Sequence, residues 1–369
     1  LDARLTGKVA VISAVNFSEG GPLTVLRDCT DAACNVLGPE WEIYVLVHSK
    51  HLISASRAIA LEFPKSKGSW RTRLVLEWVH FDRLSKELKP AIWVSLHDIT
   101  PRVTADRKVV YCHNPAPFYR PRMRDTYLEP SLLLFRYLYK FLYRINIHSN
   151  THVVVQQEWI RGHFRKLFRH RSVIVAHPEV PARDDPPPLR KPKSKTVFFF
   201  PALARVFKNF EVLCQAVEAM PAEIRERMEL RLTVDGTENR YARWLVRQFG
   251  SLPGIRFIGR QDRTQMNRQY QECDAVLFPS VLETWGLPIS EAKCMNKPLL
   301  VADLPYAHET VGKYDRVSFL SAESELAWRQ AMSEIVLGTW QPQGHPIFLP
   351  HEPFAADWVS LWSLLTAGL

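Results

Sequence analysis

The sequence predicts an α/β protein of two doubly wound domains, and three observations carry that expectation. Short apolar runs rich in β-branched residues recur along the chain with helical patterns between them. The alternation breaks once, at a proline-rich basic segment, and then resumes. At 369 residues and 46% apolar content, the chain has material for two cores of ordinary size.

The first series of strand-like runs is Lys8–Val15, Glu42–Val47, Leu74–Val79, Ala91–Leu96, Lys108–Cys112 and His152–Val155. A helical pattern, LTVLRDCTDAACNVL, follows the first of them. Residues 1–180 are expected to form the first domain. Pro186, Pro187 and Pro188 cannot continue a helix or a central strand, and the basic residues after them cannot build a core, so 181–195 reads as a linker. Residues 196–350 then alternate again: Thr196–Phe200, Glu229–Val234, Ile255–Ile258, Ala275–Phe278 and Pro298–Val301 as strands, with helices between. The tail 351–369 is expected to be a helix packing back toward the first domain. Sheets of this kind bind ligands beyond the carboxyl ends of their strands, so two of them facing across a cleft would place the site there.

Composition narrows the function classes. No window approaches eighteen uninterrupted apolar residues, so no membrane-spanning helix is expected. The opening LDARLTGKVAVISAVNF lacks the basic start and small-residue cleavage site of a signal peptide. The six cysteines form no Cys-x-x-Cys pair and no cluster with His at metal-ligand spacing, so they read as reduced, mostly buried thiols. The formal charge of +10 is uneven: eleven Lys and Arg against three acids lie between Phe118 and Arg171. A basic face points to an anionic partner, but no nucleic-acid-binding motif accompanies it.

The strand ends supply the candidate site residues. Gly20 and Gly21 follow the first strand and would let backbone approach an anion at a helix start. No G-x-G-x-x-G and no Walker A lysine is present. His97 and Asp98 follow Leu96. His113 follows Cys112, with Asn114-Pro115 enforcing an extended turn after it. Arg205 and Lys208 lie just before a helix after Phe200, where a phosphate clamp is favoured. After Phe278 comes a loop with Glu283, Thr284, Trp285, Gly286 and Leu287. Pro288 reads as the first helical residue, and Glu291 as part of the first helical turn.

The stretch from Glu283 to Ala292, with Gly-Leu-Pro inside two glutamates separated by seven residues, resembles the glutamate motif of retaining glycosyltransferases of GT-B fold, family-4 class. Ala275–Ser280 before it is similar to the family's strand and turn. Asn296–Ala302 and His308–Gly312 resemble the elements after it. The resemblance implies two Rossmann-like domains. It implies that Glu291 holds the donor's ribose hydroxyls, while Glu283 and the backbone N–H groups of Thr284 to Leu287 face the donor sugar and diphosphate. It implies that Arg205 and Lys208, with Gly20 and Gly21, grip the diphosphate, that His113 faces the donor sugar, and that Ile258, Gly259 and Arg260 lie by the base. His97 and Asp98 become acceptor-side candidates. The pattern departs from the family where Ala204-Arg205 replaces Gly-Arg, and where Asp235-Gly236-Thr237 stands for Gly-x-Gly.

The expected function is therefore retaining transfer of a sugar from a UDP-, GDP- or dTDP-linked donor to a glycan or lipid-linked oligosaccharide, as in bacterial surface polysaccharide synthesis. No Asp-x-Asp occurs, which favours a reaction needing no metal or other cofactor. The helical stretch Ser131–Ile147 aligns Arg136, Lys140 and Arg144 along one face, as interfacial helices do. Either a solvated basic face on a packed helix or a contact with anionic membrane fits. The expected location is the cytoplasm, at the inner face of the cell membrane if that contact holds. The alternatives are another GT-B enzyme, such as an epimerase or a phosphorylase, and a basic nucleic-acid-binding protein. No nucleic acid is expected.

Overall fold

The computed structural model describes residues 7–18, 20–55, 57–179 and 194–369. Most of the expected linker, residues 181–193, lies outside them. The chain divides into two compact units. One comprises Leu1–Phe118, Tyr137–Glu179 and Pro350–Leu369; the other comprises Tyr119–Arg136 and Val180–Leu349. The boundary thus crosses the continuous stretch 1–180 read from sequence, because Tyr119–Arg136 belongs to the second unit.

The first unit is an eight-stranded sheet. Its strands are β1 (Lys8–Ser13), β2 (Trp41–Val47), β3 (Ala58–Glu62), β4 (Ile92–Ser95), β5 (Arg107–Cys112), β6 (His152–Val155) and β7 (Val173–Ala176), with the short strand Phe354–Ala355 at one edge. The order is β3-β2-β1-β4-β5-β6-β7 and then Phe354–Ala355. The recorded pairings are parallel, for example Ala10 with Ile43 on one side and Ile92 on the other. Successive side chains of a strand point to opposite faces. Ile12 and Val94 accordingly pack with Leu26, Trp358 and Trp362, while Val11 and Trp93 pack with Phe81. Both faces are covered, which is why the strands read as unbroken apolar runs.

Two expectations change here. Leu74–Val79 is helical, not a strand: Trp70–Val75 is α-helix and Leu76–His80 a π-helical turn. Its apolar residues do not share one buried face, since Val75 and Val79 are exposed and Leu76 is buried. Gly20 and Gly21 open the helix Gly20–Val36 rather than preceding it. The terminal helix Trp358–Thr366 belongs to the first unit, where the Trp362 indole donates to the Cys29 carbonyl at 2.9 Å. Arg161, read from sequence as part of a basic surplus, is fully buried. It pairs with Glu158 and donates to the Pro353 carbonyl at 2.9 Å, fastening this returning segment.

The second unit is a six-stranded sheet of β8 (Thr196–Phe200), β9 (Met228–Leu232), β10 (Ile255–Phe257), β11 (Ala275–Phe278), β12 (Leu299–Ala302) and β13 (Val317–Leu320). Their order is β10-β9-β8-β11-β12-β13, with parallel pairing throughout. Each sheet therefore reverses its winding once, between β1 and β4 and between β8 and β11. Loops leaving such a switch point diverge to opposite faces and open a crevice at the strand carboxyl ends. All six cysteines are free thiols, and only Cys294 is exposed. No helix among the described residues is long and apolar enough to cross a membrane.

Candidate functional site

The switch point of the second unit gathers the charged residues singled out in the sequence. The loop after β8 contains Arg205 and a single turn, Val206–Lys208, ending at Asn209 in the left-handed conformation (φ 59°). Asn209 then starts the helix Phe210–Glu218, whose face packs on the sheet. Its amide donates to the Pro279 carbonyl at 3.3 Å and to the Ala322 carbonyl at 2.8 Å. The Val281 N–H donates to the Phe207 carbonyl at 2.8 Å. These bonds lash the β8 and β11 loops together across the switch point.

On that frame Lys208 pairs with Glu283, their side chains only 15% and 11% exposed. The ammonium also lies 5.5 Å from the Phe278 ring centre and 5.6 Å from that of Phe207. A pair so enclosed loses much hydration, and is retained where geometry or function demands it. Burial, and after it the charge of Glu283, pushes the Tyr306 phenol well above its ordinary range. Tyr306 donates to the Ser280 carbonyl at 2.7 Å, and the Ser280 hydroxyl is buried without a partner among the described residues.

The helix Leu287–Cys294 begins directly behind this pair. Gly286 precedes it at φ 84°, and a Cβ there would stand 3.2 Å from the Phe278 ring. Glycine is thus required both by conformation and by space. The N–H groups of Thr284, Gly286 and Leu287 have no hydrogen-bond partner among the described residues. They form the donor-rich, partially positive end of the helix. The Trp285 side chain does not join them: it is buried and its indole donates to Ser290 at 3.0 Å. Glu291 lies in the second helical turn rather than the first, half-buried, and accepts from the Tyr270 hydroxyl at 2.6 Å.

Arg205 differs from Lys208. It pairs with Glu129, whose other oxygen accepts from the Val206 N–H at 3.0 Å. Its guanidinium is therefore already engaged, and Glu129 could not have been connected to it by sequence spacing. Gly259 sits at φ 65° beside Asp235, and the carbonyls of Ile258 and Gly259 accept from the Gln261 amide at 2.8 and 3.3 Å. Arg260 is exposed.

In the first unit, His97 and Asp98 turn inward, contrary to the expectation that they face an acceptor. His97 is buried with its Nε2 3.1 Å from Ser13 Oγ and 3.2 Å from Glu77 Oε1, and its Nδ1 3.1 Å from an Arg73 nitrogen. Burial and the Arg73 charge hold its imidazole well below the usual range, so it is neutral. Asp98 takes the left-handed conformation (φ 68°) and accepts from the N–H groups of His113 (2.8 Å) and Asn114 (3.1 Å) and from the Tyr143 hydroxyl (2.9 Å). It fixes the β5 end. His113 stands there partly exposed, its ring edge-on to Phe17 at 5.6 Å. Gly20 begins its helix at φ 65° with open space where a Cβ would be, and Gly21 beside it is exposed. Glu77, Tyr270, Glu129, Ser280 and Tyr306 were not singled out in the sequence. Each acts through a contact between segments far apart in the chain.

Residues 182–337 match the family described as Glycosyl transferases group 1. A curated relative, the O-antigen chain mannosyltransferase RfbU of Salmonella typhimurium, is 20% identical over 233 residues, which is 62% of this chain and 60% of that protein. Among solved structures, a glycosyltransferase from Rickettsia africae aligns with TM-score 0.63 at 14% identity, covering 90% of each chain. WaaG, a glycosyltransferase involved in lipopolysaccharide biosynthesis, aligns with TM-score 0.63 at 13% identity over 89% of this chain and 90% of that one. Anabaena HepE in complex with UDP and glucose aligns with TM-score 0.56 at 11% identity, over 89% and 90%. The solved structures share the two-unit GT-B fold, and over residues 182–337 the chain is similar to group 1 glycosyltransferases.

Proposed function

We propose that the protein transfers a sugar from a nucleoside-diphosphate donor to a glycan or lipid-linked glycan, with retention of anomeric configuration and without a metal ion. The observation that carries this reading is the Lys208–Glu283 pair set against the open N–H end of the helix Leu287–Cys294. Leaving of the diphosphate develops negative charge, and fixed donors and a cation are what that step needs. Lys208 then exchanges its carboxylate partner for the diphosphate, and Glu283 is released to face the sugar, whose anomeric carbon becomes cationic. A leaving-group oxygen takes the acceptor proton, so no carboxylate nucleophile is required.

Glu291, oriented by Tyr270, is assigned to the ribose hydroxyls, and the Ile258–Arg260 segment to the base. Thr284, Gly286 and Leu287 contribute backbone donors, and Arg205 joins the diphosphate only if it leaves Glu129. His113, Gly20 and Gly21, at strand ends of the first unit, are assigned to substrate recognition there. Bacterial surface polysaccharide is the product class supported by the likeness to RfbU and WaaG, and HepE's UDP supports a uridine donor among the UDP, GDP and dTDP alternatives.

A peripheral contact with anionic membrane is part of the same reading. In the helix Pro130–Leu142, Leu134, Tyr137 and Phe141 share one face and are 68%, 65% and 63% exposed. Lys140 lies in the same helix, and Arg144 follows just beyond its end, the helix stopping short of the Ile147 expected from sequence. Apolar side chains presented to solvent beside cations fit a lipid surface of negative charge. Incubation with UDP-, GDP- and dTDP-sugars and a lipid-linked acceptor in EDTA, read by nucleoside-diphosphate release and by the anomeric coupling of the product, tests the proposal. Product of retained configuration supports it. Inversion, or release only on adding a divalent metal, contradicts it.

A further inference from the structure

The first unit contains a pocket of about 460 Å³ that none of the donor-site residues touches. It is lined by Trp78, Pro101, Arg102, Lys108, Ile145 and Asn146, with Val103 and Ser149 completing it. Lys108 is the second residue of β5, at the opposite end of that strand from His113, so the pocket is separate from the strand carboxyl ends. Three features define its chemistry. Its lining includes two cations and no carboxylate. The Trp78 indole N–H is buried and has no acceptor among the described residues, a donor whose desolvation is uncompensated. Pro101, Val103 and Ile145 give it an apolar wall.

Asp82 Oδ1 stands 3.8 Å from Arg102 Nε. That Arg102 side chain is 73% exposed and Asp82 already pairs with Lys86 at 2.7 Å, so the competing contact is weak. An arginine, a lysine and the Asn146 amide are donors for an oxyanion with several acceptor oxygens, and the Trp78 side chain reports on it from the wall. The apolar wall suits a carbon substituent on that oxyanion.

We infer that this pocket binds a phosphate ester. The exposed Phe141 and Arg144 lie only a few residues before Ile145, which favours a lipid headgroup as the source of the phosphate, with a soluble phosphate as the other. The pocket's phosphate binding uses none of the donor-site residues; only the choice of a lipid source rests on the proposed membrane contact.

The test is nuclear magnetic resonance of the full chain with nitrogen-15 in its tryptophans, the Trp78 indole signal being assigned by its loss in Trp78→Phe. Inorganic phosphate, glycerol 3-phosphate and dihexanoyl phosphatidylglycerol are titrated in turn, with chloride as the control. The expected result is a saturable shift of the Trp78 signal, weakened about tenfold or more in Lys108→Gln and in Arg102→Gln while the other indole signals stay in place. The exposed Asn146→Ala serves if either variant fails to fold. A response to all three probes supports a soluble phosphate, and a response only to the diacyl probe supports a headgroup. No saturable shift, or one unchanged by all three variants, overturns the inference.

Discussion

Replacing Lys208 with alanine separates the structural and chemical roles of the enclosed pair. The substitution leaves Glu283, itself 9% exposed, with an uncompensated carboxylate. Breaking a buried ion pair costs about 3–5 kcal/mol, and partial exposure puts this one at the lower end. For a unit of this size, roughly 2–4 °C of melting temperature corresponds to each kcal/mol, so Lys208→Ala should melt about 6–12 °C lower. Combining Lys208→Met with Glu283→Gln removes both charges and should return most of that stability. Turnover should not return with it. Loss of one donor that stabilises developing charge lowers the rate about 10²–10³-fold, and the neutral pair lacks that donor as fully as the single variant does. The assay is calorimetric melting beside nucleoside-diphosphate release per folded molecule. If the neutral pair restores both stability and turnover, the pair is architectural and the diphosphate assignment is wrong.

Other substitutions probe the remaining parts. Tyr270→Phe removes the hydroxyl that orients Glu291 and should weaken nucleotide affinity about tenfold, with turnover at saturating donor little changed, as titration calorimetry and kinetics would show. Gly286→Ala must adopt φ 84° and press on Phe278, so it should lower stability by about 1–3 kcal/mol by urea denaturation. Glu77 is fully buried beside His97 and Arg73, and burial, outweighing the opposing effect of Arg73, raises its carboxyl from 4.5 to about 8. The folded state therefore holds that proton where the unfolded state has lost it, and stability falls as pH rises from about 4.5 to about 8. Neutral His97 works the other way, losing stability below its ordinary value of 6.5. The two oppose each other in acid, so the fall should emerge between about pH 6.5 and 8, at up to about 1.4 kcal/mol per unit. Glu77→Gln should flatten it in urea titrations across that range.

Central strands such as Ala275–Phe278 and Ile92–Ser95 were legible because they are buried on both faces, whereas Ala58–Glu62, at a sheet edge and partly exposed, was not read as a strand. Leu74–Val79 misled because its β-branched residues follow strand propensity, whereas tertiary packing of Leu76 and Glu77 requires a helix. The loop Glu283–Leu287 was legible because glycine before a helical proline restricts backbone choices locally. Partners were not. Glu129 reaches Arg205 and Glu77 reaches His97 only through tertiary contacts, and no spacing in one chain encodes them. His97 and Asp98 read as ligand-facing because they leave a strand end, yet left-handed backbone at Asp98 turns its carboxylate onto the next strand's loop.

The most direct test of the central claim is calorimetric binding of UDP, GDP and dTDP, in EDTA, to the wild-type chain, Lys208→Ala and Glu291→Ala. The account predicts that one diphosphonucleoside binds the wild type without metal and that both variants weaken it at least about tenfold. Binding of equal strength to all three proteins would contradict a donor site at the β8–β11 switch point.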